Sequence, residues 1–459
     1  MGRYLLKNAT ILTGEYMEKG LVSIDGDKIG GIWFQKDIDK GEILSPIPSE
    51  GYTAIDLSGK ILIAGGIDAH VHFREPGLTR KADFFTESRA ALLGGITSVI
   101  DMPNTNPPTT SLSALEEKIA MASGRSWTGF GFHIGATNSN AEEILSIASA
   151  PSSLRPFAGI KVFMGSSTGN MLVDSESALS QFFSVKGVRV LVHCEDENTI
   201  RENLQRAIDQ YGDEIPFSMH PVIRSRKACI RSTAKALETA IAKGTALHVL
   251  HVTTAEEVNM IRAAKIHNSD ITAETSANYL LFTDEDYAAK GSLVKCNPAI
   301  KSSRDRDALR EALSDGTIDT IGSDHAPHLL SEKKAPYRTA PSGVPSIQHS
   351  LSAVFTICHE DGIPLTRMAS VFSEKAASMF GISGKGFIKA GLDADLTVLD
   401  PERSFTVSKE DLAYKCGWSP YEGMTLGYPV DSVFLGGEQV ISEGKLIIEE
   451  PTGKRLIFK

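Results

Sequence analysis

The sequence predicts an α/β protein: a (β/α)8 TIM barrel with a small β-sandwich domain built from both chain termini. Three observations predict it. From about residue 59 to 384, strand-like apolar runs alternate with helix-period stretches, and eight such units over roughly 300 residues match the size of that barrel. Residues 1–58 and 385–459 hold only short strand patterns cut by Gly and Asp turns. Finally, the histidines, lysine and aspartate suited to chemistry fall at the C-terminal tips of the predicted barrel strands, where this fold carries its reactive groups.

The first 58 residues give short strands at Tyr4–Leu6, Ala9–Leu12, Leu21–Ile24 and Gly31–Phe34, with no helix-period segment before residue 60. The barrel strands are expected at Ile61–His72, Ile96–Met102, Gly129–Ala136, Phe157–Gly165, Val188–Glu195, Ala246–Thr253, Ile271–Asn278 and Thr317–His328. Helical stretches fall between them, among them Asp83–Leu93, Leu112–Ser123, Asn198–Tyr211, Arg231–Lys243 and Ala255–Ile266. Lys334 to Ser346, rich in Pro, Gly and Ser, reads as a mobile loop after the last barrel strand. After residue 385, a turn and strand at Gly391–Asp400 and hairpin-like runs at Ser432–Leu435 and Lys445–Ile448 return the texture to β, so the barrel reads as an insertion in the terminal domain.

With 41% apolar and 23% charged residues in 459, the chain has the composition of a soluble protein with a full core. A formal charge of −10 leaves no basic face to neutralise phosphates, which argues against nucleic acid as a partner. No apolar run is long enough to span a bilayer, and the start lacks the apolar region and cleavage site of a secretory signal. Five cysteines without CxxC spacing fit reduced thiols in a cytoplasmic protein and exclude a cysteine zinc finger.

The stretch Gly65-Gly66-Ile67-Asp68-Ala69-His70-Val71-His72-Phe73-Arg74-Glu75-Pro76-Gly77 organises the chain. On a strand, His70, His72 and, if the strand persists, Arg74 point the same way. Two imidazoles one repeat apart grip a metal ion, and a guanidinium just beyond holds an anion. Taken alone, the pair reads equally as two satisfied histidines at a strand end. Lys161, in an apolar β-branched run, either snorkels outward or has reacted with carbon dioxide to a carbamate able to bridge two cations. His193 and His251 sit at the tips of strands five and six; His248, three residues before His251, faces the other way and reads as structural, and Cys194 as packing. Asp324 at the eighth tip suits metal ligation and proton exchange, or helix capping. Together the four histidines, Lys161 and Asp324 make a two-metal site, where paired cations would lower the pKa of a bridging water. Asn104, in Met102-Pro103-Asn104-Thr105, either closes an Asx turn or joins Arg74 and His328 in a carboxylate clamp.

At these residues the chain resembles the amidohydrolase superfamily and, within it, the dihydroorotases. The specific motifs are His70–Gly77, Met102–Thr105 and Ser323-Asp324-His325-Ala326-Pro327-His328, and the likeness runs on to Gly417–Gly423. The resemblance implies reversible closure of N-carbamoyl-L-aspartate to L-dihydroorotate in pyrimidine biosynthesis, two zinc ions per chain and a homodimer. It implies that His70, His72 and Asp324 hold the more buried zinc and that His193 and His251 hold the second. Lys161, as N6-carboxylysine, would bridge the two. Arg74, Asn104 and His328 match positions that bind the substrate carboxylate, and Asn297 matches an asparagine near the pyrimidine ring. Asp324 would be the general acid/base, taking a proton from the attacking hydroxide and returning it to the ring nitrogen.

Two departures stand out. Some dihydroorotases carry an aspartate where this chain has Lys161, and many have a His-His pair where it has Ser276-Ala277-Asn278-Tyr279. Allantoinases and dihydropyrimidinases share the metal ligands and are the nearest rivals; allantoinases have asparagine in place of Arg74, and hydantoin-cleaving enzymes lack the Met-Pro-Asn-Thr motif. A catalytically dead homologue serving as a scaffold is the rival of another class, opposed by the presence of all six candidate ligands.

Overall fold

The computed structural model describes residues 2–151, 155–165 and 171–459. Eight parallel strands form the barrel: β1 (Gly66–Val71), β2 (Ile96–Asp101), β3 (Gly129–Phe132, resuming as Ile134–Gly135), β4 (Gly159–Phe163), β5 (Arg189–His193), β6 (Leu247–Val249), β7 (Thr272–Thr275) and β8 (Thr320–Ile321). Each pairs with the next. The ring closes where Val71 meets His325 and the His72 N–H donates to the His325 carbonyl at 2.8 Å. The helices cover it at the predicted places: Phe84–Leu93, Leu112–Ala122, Glu197–Tyr211, Arg226–Lys243 and Ala255–His267. Their caps explain their starts: Asp83 accepts from the Thr86 N–H, Asp196 from Thr199 and Thr254 from Glu257.

Both termini build one further sheet of nine strands, in which Leu396–Leu399 pairs antiparallel with Ile61–Ala64, and Ile61–Ala64 parallel with Arg3–Leu12. Its two arms meet again where Lys28 bridges Asp393, enclosing a core that includes Val22, Ile24, Leu396, Val398 and Phe434. This is the sandwich domain expected from the termini. Among the described residues, no helix is long and apolar enough to cross a membrane.

Four details differ from expectation. The run Ile61–His72 is two strands, because the chain changes sheets at Gly65, whose N–H donates to the Asp395 carbonyl and where a Cβ would lie 2.2 Å from Thr97 Oγ1. The strand does not persist to Arg74, which turns at φ +66°. A short helix, Gln35–Lys40, lies in the N-terminal segment. The Lys334–Ser346 loop is tied down: buried Lys333 donates to the carbonyls of Pro341 and Gly343, both at 2.9 Å, and Lys295 to those of Tyr337 (2.7 Å) and Ala340 (2.6 Å).

Candidate active site

The strand tips bring the expected histidines together. His70 and His72 leave β1 with both Nε2 atoms aimed at Asp324 Oδ1, at 3.3 and 3.1 Å. Their other nitrogens are held from behind: His70 Nδ1 lies 2.5 Å from Glu274 Oε1 on β7, and His72 Nδ1 lies 2.6 Å from Asn104 Oδ1. Each Nδ1 therefore donates outward, so that a cation displacing the Asp324 contact would meet a lone pair on each Nε2. Asp68 ties the tips together, its Oδ1 accepting from the N–H groups of His70 (3.0 Å) and Ser323 (3.2 Å).

The second cluster adjoins the first, with the His70 and His251 rings 5.4 Å apart. His193 Nε2 is held by Glu195 Oε2 at 3.0 Å, and Arg224 pairs with that same carboxylate. His193 Nδ1 therefore faces inward, 2.9 Å from His251 Nε2, and His251 Nδ1 is buried with no hydrogen-bond partner among the described residues. Lys161 is 1% exposed, with its ammonium 4.6 Å from the Phe163 ring centre and without a hydrogen bond or ion pair among the described residues. Burial pulls its pKa down to about 8. The carboxyl of Asp324 stays below its ordinary range because His70, His72 and Lys161 outweigh the effect of burial. Arg74, His251 and Asp324 all have positive φ (66°, 39° and 47°), local strain of about 1–3 kcal/mol each that the surrounding structure must hold.

Arg74 is 2% exposed. Its Nε donates to the Pro327 carbonyl at 3.1 Å and its Nη2 lies 3.0 Å from His328 Nε2, yet no carboxylate among the described residues pairs with it. Asn104 sits behind His72, its oxygen engaged there. Asn297 precedes Pro298, with its Oδ1 buried and without a hydrogen-bond partner among the described residues. His248 turns away from the tips, its Nδ1 2.9 Å from Thr272 Oγ1, and Cys194 packs in the main core.

These residues fit metal ions. The inward nitrogens of His70 and His72 lie with an Asp324 oxygen within 4.8 Å of one another. His193 Nδ1 and His251 Nε2 face each other at 2.9 Å, and with the His251 hydrogen moved to Nδ1 both would offer lone pairs, a donor set that imidazole-binding cations accept. Sequence reasoning missed the groups behind the ligands, Glu274 and Glu195.

The family model described as "Amidohydrolase family" matches residues 61–440. A dihydroorotase of Methanosarcina acetivorans is 35% identical over 403 residues, covering 86% of this chain and 83% of that protein. An allantoinase of Streptomyces avermitilis is 31% identical over 457 residues, 98% of each. The solved L-hydantoinase (dihydropyrimidinase) of Arthrobacter aurescens matches with a TM-score of 0.91 and 27% identity over 100% of both chains. Motifs, barrel and family match converge: the chain belongs to the amidohydrolase family.

Proposed function

We propose that this member of the amidohydrolase family, a hydrolase of small cyclic amides, is a dihydroorotase that interconverts N-carbamoyl-L-aspartate and L-dihydroorotate. The observation that carries this reading is the buried guanidinium of Arg74 without a carboxylate partner. Burying a lone cation is costly, so such a site is built for an anionic substrate group, and a guanidinium takes a carboxylate in two parallel hydrogen bonds. Dihydroorotate carries that carboxylate; allantoin and dihydrouracil do not.

His70, His72 and Asp324 would hold one zinc ion and His193 and His251 a second, with Lys161 between them. A buried amine held down to about 8 is partly neutral near physiological pH, the form that attacks carbon dioxide. The new N–C bond displaces one proton and leaves an anionic carbamate suited to bridging cations. When bound, the metals supply water deprotonated at neutral pH and polarise the amide carbonyl. In ring opening, Arg74 and His328 fix the substrate carboxylate, while Asp324 takes the proton of the attacking water and returns it to the departing ring nitrogen. Ring closure reverses this and begins with Asp324 protonated, which favours cyclisation toward lower pH.

A second reading, allantoinase, is favoured by the full-length likeness to the Streptomyces avermitilis protein. Against it stands Arg74, where allantoinases resemble this chain with asparagine. Spectrophotometric assays of the zinc-loaded protein with dihydroorotate, allantoin and dihydrouracil decide between them. Dihydroorotate is expected to be preferred, with Arg74→Met losing about ten- to a hundredfold in kcat/KM at unchanged zinc content. Faster turnover of allantoin or dihydrouracil by the unaltered protein overturns the reading.

A further inference from the structure

We propose that Lys81 is a positioning residue of the substrate clamp: its ammonium locks His328 in the Nε2–H tautomer, making that histidine a donor to the same anion that Arg74 binds. The inference rests on the proposed carboxylate-bearing substrate.

The argument is one of donors and acceptors. Lys81 lies on the turn between β1 and the helix Phe84–Leu93, mostly buried, with its Nζ 2.9 Å from His328 Nδ1 and 3.3 Å from Glu332 Oε2. An ammonium has hydrogens to give and no lone pair, so His328 Nδ1 must accept. Burial, together with the cations Arg74 and Lys81, holds the imidazole neutral by driving its pKa down. A neutral ring has one hydrogen, which is then on Nε2. That agrees with the Ser342 carbonyl, an acceptor 3.1 Å from Nε2.

It leaves Arg74 Nη2, 3.0 Å from the same Nε2, facing another donor. Two donors cannot satisfy each other, and in a buried site the mismatch is costly. An acceptor with two oxygens resolves it, one oxygen reaching Arg74 and the other taking the His328 Nε2 hydrogen in place of the Ser342 carbonyl. Without Lys81, the proton is free to move to Nδ1. His328 Nε2 would then accept from Arg74, and the clamp would close on itself in competition with substrate. Burial lowers the Lys81 pKa, and Glu332, 3.3 Å away, opposes that shift and holds the ammonium in place.

The test combines ¹⁵N NMR of histidine tautomers, with His328 identified by its absence from a His328→Asn sample, and steady-state kinetics. In the unaltered zinc-loaded protein, His328 is expected as Nε2–H. In Lys81→Met it is expected to shift toward Nδ1–H, with KM for dihydroorotate raised about tenfold or more, kcat within about threefold and zinc content unchanged. Lys81→Arg, which retains a donor, is expected to restore much of the KM. Finding His328 as Nδ1–H in the unaltered protein overturns the inference even if Lys81→Met does not fold. So does an unchanged KM in a folded Lys81→Met. Failure of the unaltered protein to turn over dihydroorotate, with His328 still Nε2–H, instead overturns the substrate reading.

Discussion

Glu274 shows how a single side chain sets the chemistry of the tips. Its Oε1 holds His70 Nδ1 and its Oε2 lies 3.6 Å from His248 Nε2, so one buried carboxylate faces both imidazoles. Burial opposes its ionisation, but the two histidines outweigh burial and bring its pKa to about 2. It therefore stays an acceptor, which fixes the hydrogen on His70 Nδ1 and leaves Nε2 as the atom that could turn to a cation. Replacing it by glutamine keeps the shape but introduces an NH2 group and removes the charge. Glu274→Gln is expected to weaken zinc binding by about ten- to a hundredfold, the usual effect of losing a group behind a ligating histidine. Zinc retained after graded chelator dialysis checks this; retention equal to the unaltered protein would contradict it. The candidate ligands were legible in the sequence because His70 and His72 fall one strand repeat apart and Asp324 lies in a distinctive run. Glu274 was not, because it lies 204 residues from His70 and its Thr-Ala-Glu-Thr setting carries no motif.

At the scale of elements, strand order and helix positions could be read from apolar periodicity, whereas the joints between helices could not. Asp305 is such a joint. It closes the capping box at the start of the helix Ser303–Asp315, accepts from the Ala255 N–H that begins the helix Ala255–His267, and pairs with Arg226, the first residue of the helix Arg226–Lys243. One carboxylate thus registers three helices around β6 and β7. Burial raises its pKa, but Arg226, Ser302 and the Ala255 amide more than offset this and hold it below the ordinary 3.8. A carboxyl depressed in the folded state contributes stability above its unfolded value, and that contribution is lost as pH falls through the folded value. Asp305→Asn is therefore expected to destabilise the protein by about 2–3 kcal/mol at neutral pH, a figure reduced because Arg226 is one-third exposed. The gap to the unaltered protein should be flat above about pH 4 and shrink below it. Urea unfolding midpoints across that range check the sign; a gap that widens in acid would refute it.

On the scale of the whole molecule, the terminal domain was legible as β texture at both ends of the chain, but the path of the last residues was not, since a short apolar run such as Leu456–Phe458 names no partner. After the strand Lys445–Leu446 the chain leaves the terminal sheet and returns to the barrel. Gly453 N–H donates to the Ser126 carbonyl, Leu456 N–H to Phe130 and Lys459 N–H to Gly381. Leu456 and Phe458 join Ile67, Leu191 and Phe380 in one apolar cluster, and Phe380 in turn packs against His133 and His248 inside the barrel. The tail thus staples the terminal sheet to the barrel and extends the packing beneath the strand-tip chemistry. Leu456→Ala and Phe458→Ala are each expected to cost about 2–5 kcal/mol, through lost burial and the cavity left behind. Because both lie in one cluster, the double variant should lose less than the sum. Their apolar cluster includes none of the candidate ligands, so the folded variants should bind zinc as the unaltered protein does while melting earlier. An unchanged melting temperature would mean that the tail merely lies on the barrel; an equal loss of zinc affinity would mean that packing below the tips sets their geometry directly.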